Sequence, residues 1–209
     1  MVRRGEYLER MVVIPSGELH LEGLYHRGRL RPPCVVAAPH PQHGGSMDSP
    51  VVAELAWAIT RAGHATLRFN YRGVGASEGS WSGGAGEIAD CEAALDQLKE
   101  TTGAPELALA GYSFGAWAAT EAARRRADVG ALVLVAPPTK LFDFTPLREV
   151  AARVLVIRAS EDALCDPVQV AAAIEPLGPR AEEVVVQGAD HFFTTGLPQV
   201  GRHAARFLG

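Results

Sequence analysis

Chemistry in this chain concentrates in two serines, seven histidines and a short acidic run. The pattern G-x-S-x-G occurs twice, as GYSFG (Gly111–Gly115) and as GASEG (Gly75–Gly79). A serine hydroxyl is a weak nucleophile unless a sharp strand-to-helix turn presents it and a neighbouring base takes its proton. GYSFG has that context: the apolar run ELALA precedes it and AWAATEAARRR follows with helical character. Its flanking glycines would let strand and helix approach closely, and the helix would aim its positive end at the hydroxyl. GASEG instead runs into SWSGGAG, too rich in glycine to open a helix. Ser113 is therefore the expected nucleophile, and Ser77 an incidental match in a surface loop. RGVGASEG fails as a dinucleotide loop too, because Glu78 stands where the third glycine of G-x-G-x-x-G belongs.

A base and an orienting acid must come from elsewhere in the chain. Of the seven histidines, His20 and His26 lie in an early strand, His64 precedes a strand and His203 falls in the terminal helix. His191, in GADHFF, follows the last strand candidate in a loop, which makes it the expected general base. The acid should lie between the two. The segment SEDALCDP offers Glu161, Asp162 and Asp166 just past the strand RVLVIRA. Asp162 is three residues beyond the strand's last apolar position and is preferred. Asp166 precedes Pro167, the pattern of a helix N-cap, and is its rival. A second pair, His40 and His43, sits in the bend APHPQHGG. A metal there would need a third ligand, for which only Asp48 is near, so no metal and no cofactor are expected.

The elements that must hold these groups follow from hydrophobic patterning. Strands are expected at MVVIP, LHLEGLYH, CVVAA, ATLRFN, ELALA, ALVLVA, RVLVIRA and EEVVVQ. Several are continuously apolar, as strands covered on both faces must be. Helices are expected over about 49–61, 87–99, 114–126, 167–177 and 198–208, with Pro167 and Pro198 at first-turn positions. The first two strands follow each other directly and predict a hairpin at one edge. Beyond them strand and helix mostly alternate, predicting an α/β fold with a mostly parallel sheet and helices on both faces. In such sheets ligands bind past the carboxyl ends of the strands, where Ser113, His191 and Asp162 all fall.

At 209 residues, 47% hydrophobic and 21% charged, the chain is expected to form one globular domain, 1–209. A net charge of −4 gives no general pull toward nucleic acid. MVRRGEYLERMVVIPSG has no apolar leader core and no run approaches a membrane span, so no membrane partner and a cytoplasmic location are expected. Three cysteines (Cys34, Cys91 and Cys165) show no metal-ligand spacing, and Cys34 reads as a small buried hydrophobe. Oligomeric state is not legible.

The motifs HPQHGGSM, RGVGAS and GADHFF, in that order, resemble those of small bacterial α/β-hydrolases marked by His-Pro-x-x-Gly-Gly-x-Met, Arg-Gly-x-Gly-x-Ser and Gly-x-Asp-His-Phe-Phe. The resemblance runs from about residue 10 to the end, with Ala38–Pro39 where relatives often carry a further His-Pro. It implies an α/β-hydrolase fold with an eight-stranded sheet and the chain order nucleophile, acid, histidine. It also implies an oxyanion hole built from the backbone N–H groups of Phe114 and Gln42, with His40 shaping the loop. Only fourteen residues separate ALVLVAPP from RVLVIRA, too few for a cap domain. An uncapped site has little buried wall, so small carboxylic esters are the expected substrates, touched by His43, Tyr112, Leu141 and Phe142. Thioester hydrolysis or acyl transfer would use the same groups, and an idle hydrolase-fold binding module is the alternative from another class.

Overall fold

The computed structural model describes residues 8–209; residues 1–7, the start of the segment read above as lacking a leader, lie outside them. Eight strands form one sheet: β1 (Arg10–Ser16), β2 (Leu19–His26), β3 (Leu30–Ala37), β4 (His64–Phe69), β5 (Leu107–Tyr112), β6 (Val129–Val135), β7 (Arg153–Ala159) and β8 (Ala181–Val186). Their order is β1-β2-β4-β3-β5-β6-β7-β8. The β1–β2 hairpin and the β2–β4 pairing are antiparallel, and every other pairing is parallel. The strands β4 and β5 are buried along their whole length, the reason their sequences show no alternation.

Five helices cover the sheet: α1 (Pro50–Ala62), α2 (Ala85–Thr102), α3 (Phe114–Ala123), α4 (Pro167–Ile174) and α5 (Leu197–Leu208). α1 packs on α5 and α2 on α3. From β3 the chain crosses outward to β4 and then returns to β5 on β3's other side. That reversal separates the loops after β3 and β5 and opens a crevice between them, the place where ligands bind in such sheets. The segment between β6 and β7 holds only a 3-10 turn, Thr145–Glu149, and no cap domain.

Among the helix boundaries that differ from the sequence expectation, the start of α2 and the end of α4 do so for identifiable reasons. α2 starts at Ala85, two residues early and directly after the glycine-rich stretch. The buried carboxylate of Glu87 reaches back to accept the Gly84 and Ser82 N–H groups at 2.8 and 3.0 Å, supplying the cap that glycine lacks. α4 stops at Ile174, since Pro176 and Pro179 turn the chain into a 3-10 segment, Glu175–Arg180.

Ser77 is held by structure: its hydroxyl donates to the Asn70 carbonyl (2.8 Å) and accepts the Glu22 N–H (2.9 Å). Cys34, Cys91 and Cys165 are buried and unpaired, and burial pushes the Cys34 thiol up to about 12. Among the described residues no helix is long and apolar enough to cross a membrane.

Candidate active site

Ser113 follows β5 and precedes α3, with φ 56° and ψ −120°, a backbone conformation that costs a non-glycine residue energy and has to be held by its surroundings. The Ser113 N–H donates to the Val135 carbonyl of β6 at 2.9 Å, tying the turn to the neighbouring strand. Close approach explains both motif glycines. A Cβ on Gly111 would lie 2.1 Å from the Gly115 carbonyl oxygen, and one on Gly115 would lie 2.4 Å from the Ala38 oxygen. Strand, turn, helix and the end of β3 therefore pack backbone against backbone around this serine.

The loops after β7 and β8 bring two further groups to it. His191 Nε2 lies 2.9 Å from Ser113 Oγ, and His191 Nδ1 lies 2.7 Å from Asp162 Oδ2. The second oxygen of Asp162 accepts the Leu164 N–H at 2.8 Å, so one carboxylate is fixed at both ends. Serine, histidine and aspartate are each less than a tenth exposed. Asp166 has a different occupation, accepting the Val168 N–H at 2.9 Å as the N-cap of α4. Glu161 is exposed, while its N–H donates to the Ala189 carbonyl and joins the two loops. The Tyr112 hydroxyl donates to the His191 carbonyl at 3.1 Å, a bond that holds the histidine's backbone over β5. This contact was missed in the sequence, where Tyr112 was expected only to touch substrate.

The loop after β3 departs from expectation. The Gln42 N–H donates to His40 Nδ1 at 3.2 Å, Gln42 is exposed, and it does not line the cavity over Ser113. Its N–H is engaged within the turn, where the sequence expectation needed it free to face an oxyanion. The His40 carbonyl accepts the N–H groups of His43 and Gly45, both at 3.0 Å. The His40 N–H has no partner among the described residues, and His40 lines the cavity. Phe114, first residue of α3, has an N–H with no acceptor inside its own helix, and it lines the same cavity. The His40 ring packs against His43, Trp81 and Phe114, with centroids 4.6, 4.6 and 4.9 Å away. Burial and then the neighbouring His43 lower its pKa, against an opposing pull from Glu87. Asp48, the possible third ligand for a histidine-bound metal, pairs with Arg68 at 2.8 Å instead. Among the described residues no group of three or more potential metal ligands comes together.

Above the serine lies a cavity of about 900 Å³, far more wall than an uncapped site was expected to have. His43, Tyr112, Leu141 and Phe142, the residues expected near substrate, all line it. The walls rise from the loops after β3, β6, β7 and β8 together, so their sum is invisible in any one segment.

Residues 40–159 match the family model described as serine aminopeptidase, S33; the matched stretch holds Ser113 and ends before Asp162 and His191. An uncharacterized protein of Rickettsia prowazekii is 30% identical over 190 residues, covering 86% of this chain and 79% of that one. Among solved structures, an α/β serine hydrolase homologue from Coxiella burnetii superposes with a TM-score of 0.87 at 32% identity, covering 96% of this chain and 97% of that one. A Xanthomonas campestris protein described as an α/β serine hydrolase without a lid gives 0.83 at 28% identity, with 96% and 94% covered.

Proposed function

This chain belongs to the serine aminopeptidase (S33) family of α/β serine hydrolases, and from that membership we propose that it hydrolyses carboxylic esters through an acyl-enzyme on Ser113. The reading rests above all on one line of contacts: Ser113 Oγ at 2.9 Å from His191 Nε2, and His191 Nδ1 at 2.7 Å from Asp162.

In this reading Ser113 Oγ bonds to the ester carbonyl carbon while its proton passes to His191 Nε2. Asp162 keeps the ring in the tautomer whose Nε2 can accept, and steadies the imidazolium that forms. The carbonyl oxygen becomes an oxyanion, met by the free N–H groups of Phe114 and His40. Collapse breaks the carbon–alkoxy bond, and the alkoxide leaves with the proton from His191. Water then attacks the acyl carbon, gives its proton to His191, and the second collapse returns that proton to Ser113 Oγ. One ester and one water become one acid and one alcohol. The family description names aminopeptidases. We place esters first because, among the described residues, no Asp or Glu lines the cavity to pair with a substrate ammonium.

A fluorophosphonate probe should label the protein, and Ser113→Ala should abolish labelling and lower p-nitrophenyl ester turnover by at least about 10⁴-fold. Undiminished labelling or turnover in that variant would remove the proposal.

A further inference from the structure

The cavity over Ser113 carries information about substrate that the triad does not. Its volume of about 900 Å³ lies near the top of the roughly 300–1,000 Å³ range of sites that enclose drug-sized ligands, and an acetyl group would leave most of it unfilled. Val51, Leu141, Phe142, Leu164, Phe192 and Leu197 give it apolar faces from several directions. Among the described residues no Asp, Glu, Lys or Arg lines it; its only titratable side chains besides Tyr112 are histidines. At the mouth, Leu141 and Phe192 are 63% and 68% exposed, large apolar side chains standing in water where a bound chain would cover them.

Resting on the hydrolase reading, we propose that the site selects uncharged esters carrying a bulky apolar group, of about six carbons or more, over small esters and over esters with a charged chain. Each methylene buried against these walls is worth up to about fourfold in kcat/KM. A charge carried into the cavity loses its water and meets no counter-ion.

The test compares four p-nitrophenyl esters: the acetate, the hexanoate, the 6-aminohexanoate and the monoester of hexanedioic acid, each corrected with Ser113→Ala as the blank. Ethyl and hexyl acetate, followed by acid release at constant pH, probe the alcohol side. We expect lengthening of the acyl or the alcohol half to raise kcat/KM at least tenfold. Both charged esters should fall at least tenfold below the hexanoate. Leu141→Asp, a change at an exposed rim position, should raise the ratio of aminohexanoate to hexanoate turnover at least fivefold. If the probe labels Ser113 while neither half responds to length, or while a charged ester matches the hexanoate, this selectivity is wrong and the hydrolase reading stands. An unmoved ratio in Leu141→Asp would equally refute the placing of the chain at this rim. Absence of both labelling and turnover would remove the reading and the selectivity together.

Discussion

Asp162 and Asp166 stand four residues apart, and sequence alone preferred the first as the orienting acid and gave the second the pattern of a helix N-cap. Hydrogen bonding separates them: one holds His191 Nδ1 at 2.7 Å, the other holds the first turn of α4. Asp162→Asn keeps the shape of the side chain but leaves an amide facing Nδ1, favouring the wrong tautomer. In ester assays kcat should drop by about 10³- to 10⁴-fold while the melting curve stays near that of the parent. Asp166→Ala should do the reverse, costing about 1 kcal/mol of stability in urea titrations with kcat within a few-fold of the parent. Equal kcat losses in the two variants would contradict this division. The preference for Asp162 was legible because the chain order and the distance past a strand are local facts. That the Gln42 N–H is engaged rather than free was not legible, for the opposite reason. Which N–H of the turn stays free depends on a side chain, His40 Nδ1, folding back on its own backbone, and spacing carries no trace of it.

At the level of elements, the loop after β3 depends on that same ring staying neutral at Nδ1, because protonation there removes the acceptor for the Gln42 N–H. The His40 pKa lies below its ordinary value of 6.5, chiefly through burial and then through His43. As pH falls the unfolded ring is therefore protonated first. The loop's contribution to stability is intact above about 6.5 and is lost as pH drops through 6.5 toward the lower folded-state value. Imidazole NMR titration should place His40 below 6.5, and Trp81→Ala, which strips one covering ring, should move it back up; a His40 that titrates at or above 6.5 would contradict the assignment. The strands themselves were readable from apolar runs, since a strand buried on both faces cannot hide its composition. The start of α2 was not readable, because Glu87 had to be seen bending back across Ser82–Gly84 before the glycines made sense as a helix entrance.

For the whole molecule, the sheet order places the loops after β3 and β5 on opposite sides of a crevice, and Ser113 and His191 meet from strand ends although 78 residues separate them in sequence. The class of fold was legible from the alternation of elements. The size of the cavity was not, because four loops distant in the chain each contribute a fragment of wall. The 17-residue link between β6 and β7 is as short as the sequence indicated and holds no cap, yet a missing roof did not mean missing walls. That uncovered opening bears on the second half of the reaction. In the proposed mechanism, an acyl group carried on Ser113 beneath it is open to other small nucleophiles of the solvent as well as to water. Methanol added to a hydrolysis mixture should therefore be captured as methyl ester, in an amount rising with the methanol fraction. Gas chromatography of the products would measure that diversion, and an acid-only product at every methanol concentration would mean that the intermediate is shielded after all.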